Sequence, residues 1–284
     1  MTGEIQQLIE NTSKLQIILD TFYREFDFKS RILEDPIEFP HRYANPLDIE
    51  TAGFIASCFA YGRVKAFKGV IGSILDKMGS SPHQFLIDLD VKSDLELFKN
   101  ISYRFNSNSD IIGLIYIIHR MLRDNGSIKN TFMKFYLGDM YKAQAGFIEY
   151  IRGIDVSEVC EKSIGLMQFF PSPLQGSSCK RLNMFLRWMV RDCDIDFGLW
   201  TEISKSHLII PLDTHIARIS RCLGLTQRKS NDYKTAIEIT NNLRRLDPED
   251  PIKYDFALCH HGISGACSAR FSEIECKGCA ISSI

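Results

Sequence analysis

Two side chains that can form and stabilise covalent intermediates lie near the middle of the chain, Lys180 and Asp213. A lysine amine is a nucleophile, and a carboxylate stabilises a neighbouring positive charge, so the two brought together could act on a sugar carbon. Each also has an ordinary interpretation. Asp213 before an apolar helical pattern is typical of a helix N-cap, and a single lysine is typical of an exposed surface.

The segment around these residues, 172–221, predicts a helix, a hairpin, a helix, a loop and a helix. Residues 179–191 carry apolar side chains at helical spacing, from Leu182 to Val190, which predicts one buried face. We expect the basic residues of this helix to lie on its exposed face. They are Lys180, Arg181, Arg187 and Arg191. The pattern predicts further helices over 196–205 and 214–223.

The remainder of the chain is dominated by the same 3.6-residue period, and alternating β-branched residues are scarce. Pro46 fits a first helical turn, and Asp110 fits a helix cap. The predicted helices outside the central segment are 4–24, 46–59, 64–79, 110–125, 128–137, 141–153, 232–246 and 251–262. These patterns predict an all-α fold.

Composition excludes several classes of protein. The chain has 284 residues with 45% hydrophobic and 24% charged residues, which is typical of a globular protein. No apolar run is long enough to cross a bilayer, and the N-terminal residues lack a secretory signal pattern, so we expect a cytoplasmic protein without a membrane partner. The net charge is −1, so binding to a polyanion would depend on local clusters.

Such clusters flank the hairpin. Arg218, Arg221, Arg228, Lys229 and Lys234 follow Asp213 closely, with Asp232 among them. Together with Arg181 and Arg187 they could track a phosphate backbone, an attraction that does not depend on base sequence. The alternative is that they are ordinary solvated faces.

The hairpin itself suits phosphate binding. Gly176 permits a close backbone approach, and Ser177 and Ser178 precede a helix N-terminus with free N–H groups. Contacts of this kind would position a duplex without reading its sequence.

The hairpin, the lysine and the Pro-Leu-Asp-Thr-His stretch (residues 211–215) resemble the helix-hairpin-helix, Gly/Pro…Asp (HhH-GPD) superfamily of base-excision DNA glycosylases. The resemblance implies Lys180 as the nucleophile at the sugar C1′ and Asp213 as its acidic partner. It is strongest over residues 170–225. The interval between the two residues is similar to that in archaeal 8-oxoguanine glycosylases. The whole chain also resembles an uncharacterised bacterial branch of the superfamily, through the stretch at residues 179–191.

The hairpin departs from the usual Leu-Pro-Gly-Val-Gly pattern, because Pro-Leu-Gln-Gly-Ser (residues 173–177) has one glycine where two are common. Residues 60–63, Ala-Tyr-Gly-Arg, replace the family's glutamine-bearing loop. This leaves open which side chain fills the gap left by a flipped base.

Nine cysteines without a secretory signal favour reduced thiols or metal ligands over disulfides. The tail spacing of Cys267, Cys276 and Cys279 resembles the C-terminal iron–sulfur loop of the superfamily, and Cys259 could supply a fourth ligand. The implied cofactor is an iron–sulfur (4Fe–4S) cluster. Zinc and unligated thiols are the alternatives.

The resemblance implies two helical lobes, residues 46–192 and residues 1–45 with 208–284, and a DNA groove between them. The expected function is a monomeric, nucleoid-associated repair glycosylase with AP lyase activity. Its partner would be double-stranded DNA with a damaged base, such as the oxidised purine 8-oxoguanine. The alternatives are a non-catalytic helix-hairpin-helix DNA-binding protein and a structural or regulatory helical protein.

Overall fold

The computed structural model describes residues 2–265, 267, 279 and 281. Over these residues the chain is helical and has no strand, which confirms the all-α prediction. The α-helices are α1 (Thr2–Glu25), α2 (Pro46–Phe59), α3 (Val64–Met78), α4 (Pro82–Asp88), α5 (Asn108–Asn125), α6 (Ile128–Met133), α7 (Met140–Gly153), α8 (Ile164–Met167), α9 (Lys180–Val190), α10 (Thr214–Cys222), α11 (Tyr233–Arg244) and α12 (Asp255–Ile263). Short 3₁₀ turns cover Lys29–Glu34, Pro36–Glu38, Pro40–Arg42, Asp94–Phe98, Pro173–Gln175 and Lys205–His207.

The chain divides into two compact units. Unit 1 comprises Met1–Arg31, Gly176–Arg187 and Ile203–Ile284, and unit 2 comprises Ile32–Gln175 and Trp188–Glu202. The division differs from the lobes expected from the sequence. Residues 176–187, which are the end of the hairpin and the first two turns of α9, belong to unit 1, because residues 176–178 bond to residues around α10 and α11.

Unit 2 is built around α2, whose residues from Asp48 to Phe59 are all buried. The carboxylate of Glu50 accepts hydrogen bonds from the backbone N–H groups of Ile128 (2.8 Å) and Lys129 (3.0 Å) and from the indole of Trp200 (2.8 Å). Burial raises the pKa of Glu50, although these three bonds act in the opposite sense. This carboxylate therefore holds the start of α6 and the segment after α9 against α2.

Local sequence signals explain where the longer helices of unit 2 begin. Asn45 caps α2 by accepting a hydrogen bond from the N–H of Leu47, with Pro46 in the first turn, as predicted. Helix α5 begins earlier than predicted. Its cap is Ser107, and Asp110 is the third helical residue, where it completes a reciprocal capping box.

The predicted helix over 196–205 is wrong. The N–H of Phe197 bonds to the carbonyl of Trp188 (2.8 Å), and the N–H of Trp200 bonds to that of Met189 (2.8 Å). The last carbonyls of a helix have no partner within the helix. Here the segment after α9 turns back and donates hydrogen bonds to them, so it does not form a helix of its own. Gly198, with φ +60°, permits the reversal.

Unit 1 contains α1, the first part of α9, and α10 to α12. Helices α10 and α12 approach closely at Gly262. A Cβ atom added to this glycine would lie only 2.8 Å from the Cβ of His215. Among the described residues, no helix is both long enough and apolar enough to span a bilayer.

Candidate active site

The turn before α9 is tied to other parts of unit 1. Gly176 has φ +78°, and its carbonyl accepts a hydrogen bond from the N–H of Tyr233 (3.1 Å) at the start of α11. Ser177 forms an isolated antiparallel bridge with Asp232, and the Ser178 hydroxyl donates to the carbonyl of Leu212 (3.3 Å). The turn is thereby held beside the starts of α10 and α11. Gly176 is exposed, and the two serines are half-buried.

Cys179 sets where α9 begins. It has φ +51°, a left-handed conformation that a residue with a side chain seldom adopts. It is fully buried, and its N–H donates to the Ser177 hydroxyl (3.1 Å). Asn183 secures the turn further through its side-chain amide, which donates to the carbonyl of Ser178 (3.0 Å). Lys180 is therefore the first residue of the helix, and it is half-buried.

Asp213 is the N-cap of α10, as its ordinary interpretation predicts. Its Oδ1 accepts a hydrogen bond from the N–H of Ile216 (2.8 Å). Its other oxygen, Oδ2, accepts a hydrogen bond from the thiol of Cys259 on α12 (3.4 Å). One oxygen thus stabilises the helix, while the second faces α12.

A second carboxylate, Asp255, lies on α12 one turn before Cys259 and was not predicted from the sequence. It is 3% exposed, and its Oδ2 is 2.6 Å from Nη1 of the equally buried Arg187. Burial raises the pKa of Asp255 to about 6, against the lowering effect of Arg187. Asp213 raises the same pKa and Lys180 lowers it, so both lie within electrostatic reach of this carboxyl.

Helix α12 brings these groups together by its periodicity. Asp255 and Cys259 are four residues apart and therefore share one face of the helix. The available sequence signal was this pair, an aspartate one turn before a cysteine with only apolar residues between them. It does not reveal that the carboxylate is buried, because an aspartate at a helix start is usually exposed.

The prediction that the basic residues of α9 are all exposed is wrong. Arg187 pairs with Asp255, and its guanidinium lies 5.3 Å from the ring centroid of Phe256. Arg191 is 1% exposed and pairs with Asp196 at 2.6 Å. Both arginines neutralise buried carboxylates, so neither presents its guanidinium to a phosphate. The predicted apolar face of α9 is correct. The two arginines are buried because the segments packed against α9 contain buried carboxylates, Asp255 and Asp196, that need a positively charged partner.

The other predicted basic contacts are more accessible. Arg218 is exposed and approaches His215 (Nη2 to Nδ1, 3.2 Å), and Arg181 is half-buried. Arg221 has a largely structural role, because it donates to the carbonyl of Arg228 (2.7 Å) and to the side chain of Asn231 (2.6 Å).

The cysteine tail is only partly described. Cys259 faces Asp213, and Sγ of Cys279 lies 3.5 Å from Nε2 of His261. Cys267 is half-buried, and Cys276 lies outside the described residues. Within the described part of the chain, no three His, Cys, Asp or Glu side chains are grouped to hold a metal ion. The four-cysteine cluster therefore stays a prediction.

The site therefore contains an amine at a helix start, a carboxylate that caps the next helix, and a buried carboxylate paired with an arginine. This set can support nucleophilic attack by an amine, with a carboxylate to accept its proton and to stabilise developing positive charge.

Comparison with known proteins adds a family. No curated protein matches the chain, and no solved structure matches it. One family model matches residues 35–264, a range that includes Lys180, Asp213 and Asp255 but not the last three cysteines. The chain belongs to the family described as "Protein of unknown function (DUF2400)".

Proposed function

We propose that the protein is a DNA glycosylase with AP lyase activity, in which Lys180 forms a Schiff base with the sugar of a damaged nucleotide. The observation that supports this most directly is the hydrogen bond from the Ser178 hydroxyl to the carbonyl of Leu212 (3.3 Å), which holds the turn before Lys180 beside the residue before Asp213. The amine and the carboxylate that the reaction needs are thereby carried by adjoining segments, although they are far apart in the sequence.

The proposed reaction starts with a nucleotide flipped out of the duplex, at a cost of about a few kcal/mol. The neutral amine of Lys180 attacks C1′, the bond from C1′ to the base breaks, and the base leaves with the bonding electron pair. The carboxylate of Asp213 stabilises the positive charge on the sugar and accepts a proton from the attacking amine.

Asp213 then returns this proton to O4′ as the sugar ring opens, which leaves a protonated imine between Lys180 and C1′. The carboxylate of Asp213 next removes a proton from C2′, and the 3′ phosphate leaves with the electron pair of its bond to C3′, a β-elimination that cleaves the strand. Water finally hydrolyses the imine and regenerates the amine. Cys259 and Asp255 do not react. The Cys259 thiol donates a hydrogen bond to the carboxylate of Asp213, and Asp255 pairs with Arg187.

Double-stranded DNA with an oxidised purine such as 8-oxoguanine is the first substrate to test, because the interval between Lys180 and Asp213 is similar to that of archaeal enzymes with this substrate. Arg218 and the exposed backbone at Gly176 are the proposed backbone contacts. Arg181, Ser177 and Ser178 are less exposed and would contribute over part of their surface.

The second candidate is a DNA-binding protein without chemistry. It is favoured by the capping bond from Asp213 to the N–H of Ile216, because this structural role alone explains an aspartate at that position.

Borohydride trapping separates the two candidates. The protein is incubated with duplexes that carry 8-oxoguanine, uracil, thymine glycol or an abasic site, and the reduced adduct is measured. We expect the wild type to form an adduct and Lys180→Gln to form none, while both bind duplex. Lys77→Gln is the matched control, since Lys77 is an exposed lysine in the last turn of α3, outside the predicted phosphate contacts.

An adduct that persists in Lys180→Gln would assign the chemistry to another amine. Folded wild-type protein that binds duplex but forms no adduct on any of the four would support the DNA-binding candidate. A protein that binds no duplex would contradict both.

A further inference from the structure

A tight turn in unit 2 presents an exposed aromatic ring. Tyr103 and Asn106 exchange backbone hydrogen bonds of 2.9 and 2.8 Å, which leaves Arg104 and Phe105 at the tip. Arg104 has φ +52°, a strained conformation for a residue with a side chain. Phe105 is 66% exposed, so a large apolar ring stands in water on a reversal of only two residues.

The base of the turn is fixed from two sides. Asn106 is 2% exposed, and its amide donates to the carbonyl of Gly165 (2.6 Å), while its side-chain oxygen accepts from the hydroxyl of Tyr61. The hydroxyl of the buried Tyr103 donates in return to the carbonyl of Tyr61. Every polar side chain at the base is thus engaged, so the turn is held in one conformation rather than hanging as a flexible loop.

The loop that follows α2 is shaped to receive this turn. A Cβ atom at Gly62 would lie 2.7 Å from the Tyr103 hydroxyl and would also collide with the Arg104 guanidinium. Gly62 has φ +85°, so the position suits glycine for conformation as well as for space. The close approach brings Tyr61 and Gly62 beside the turn, and Arg63 follows directly in the chain.

The surroundings of the ring are basic. The Arg104 guanidinium lies 5.3 Å from the Phe105 ring centroid and 5.9 Å from that of Tyr61. Arg63, the residue before α3, and Lys65, in the first turn of α3, are exposed, and residues 61–66 contain no acidic side chain. A single exposed ring among cations is complementary to a nucleobase attached to a phosphate backbone, since stacking needs a π-face and the phosphates need positive charge.

We propose that Phe105 is a stacking surface for an unpaired nucleobase in bound DNA, with Arg104 and Arg63 on the adjoining phosphates. The proposal rests on the proposed function for the presence of DNA and adds the side chain that meets an unpaired base. The rigid turn favours this role because a pre-positioned ring loses little conformational freedom on binding.

The test measures the dissociation constants of the full chain for two duplexes. One is fully paired, and the other has a tetrahydrofuran abasic analogue that leaves the opposite thymine unpaired. We expect Phe105→Ala to weaken binding to the second duplex by about 5-fold to 150-fold, the range for one lost base–aromatic stack, and to leave the paired duplex unchanged. Phe105→Trp should retain the affinity.

Two further readouts identify the contact. Emission from Phe105→Trp should be quenched by the duplex with the unpaired thymine, because a base stacked on indole quenches it and both native tryptophans, Trp188 and Trp200, are buried. Ile164→Ala is the matched control, since Ile164 is 87% exposed and precedes the Gly165 that anchors the turn. It should bind both duplexes as the wild type does.

Equal affinities of Phe105→Ala and wild type for the second duplex would overturn the proposal. So would an equal loss on both duplexes, or a matching loss in Ile164→Ala, which would indicate a general apolar contact. If the wild type is trapped through Lys180 while Phe105→Ala behaves normally, this proposal fails and the proposed function stands. If the wild type binds neither duplex, both fail.

Discussion

Replacing Arg187 with methionine should make the stability of the protein depend on pH in a way that wild-type stability does not. The Arg187 guanidinium and the Asp255 carboxylate are both buried and 2.6 Å apart. Methionine retains much of the apolar stem of arginine and removes only the charge. The substitution therefore leaves Asp255 buried without its nearest counter-charge.

The sign follows from the pKa of Asp255, which burial raises from an ordinary value of 3.8 to about 6. A carboxyl whose folded-state pKa is raised contributes stability that is present below pH 4 and is lost as the pH rises through 6. Arg187 lowers this pKa, so its removal raises the folded-state value further and extends the loss to higher pH.

The magnitude follows from the free energy of one pKa unit, about 1.4 kcal/mol. At pH 5 the carboxyl of Asp255 is mostly protonated in both proteins, and the variant differs only through lost packing. Above pH 6 the difference in the free energy of unfolding grows by about 1.4 kcal/mol per pH unit until the variant's own pKa is reached. It therefore increases by up to about 3 kcal/mol between pH 6 and pH 8.

The assay is urea unfolding of the wild type and Arg187→Met at constant ionic strength from pH 5 to pH 8. The control is the double variant Arg187→Met/Asp255→Leu, which lacks both charges. Its difference from the wild type in the free energy of unfolding should stay constant between pH 6 and pH 8. A constant difference between Arg187→Met and wild type across this range would refute the reasoning. It would mean that Asp255 does not depend on Arg187 for its charge.

Three further predictions concern the contacts around Asp213. Gly262→Ala should destabilise the protein by about 1–3 kcal/mol in urea, because its Cβ would press on His215, whereas Gly153→Ala, with open space around it, should be neutral or stabilising. Asp213→Asn should change the free energy of unfolding by less than about 0.5 kcal/mol, since asparagine caps a helix as well as aspartate does. It should nevertheless lower the rate of base removal by about 100-fold or more, and a rate equal to that of the wild type would exclude a catalytic role. Cys259→Ser should retain the rate of base removal, because its hydroxyl can still donate a hydrogen bond to Asp213, whereas Cys259→Ala should be slower. An equal loss of rate in both variants would instead favour a role of the thiol as a metal ligand.

Local signals determined most of the secondary structure. Asn45-Pro46, Asp213 and the apolar periods specify where helices begin because capping and burial of one face act within a few residues. The prediction of a helix over 196–205 was wrong because two N–H groups of this segment bond to carbonyls at the end of α9. The spacing of apolar residues in the sequence cannot reveal such a partner. The start of α5 was misplaced for a smaller reason, since Ser107 and Asp110 are both good caps and their reciprocal bonds decide between them.

The sequence by itself identified Lys180 and Asp213 as candidate partners, because an amine and a carboxylate at helix starts are visible as residue types in a pattern. Only the tertiary structure decided what surrounds them. Packing of α12 against α10 placed Cys259 beside Asp213, and the burial of Asp255 one turn earlier on α12 made Arg187 the partner of a carboxylate rather than an exposed cation. The physical reason is that burial and charge pairing depend on distances between residues far apart in the chain, which composition and periodicity do not encode.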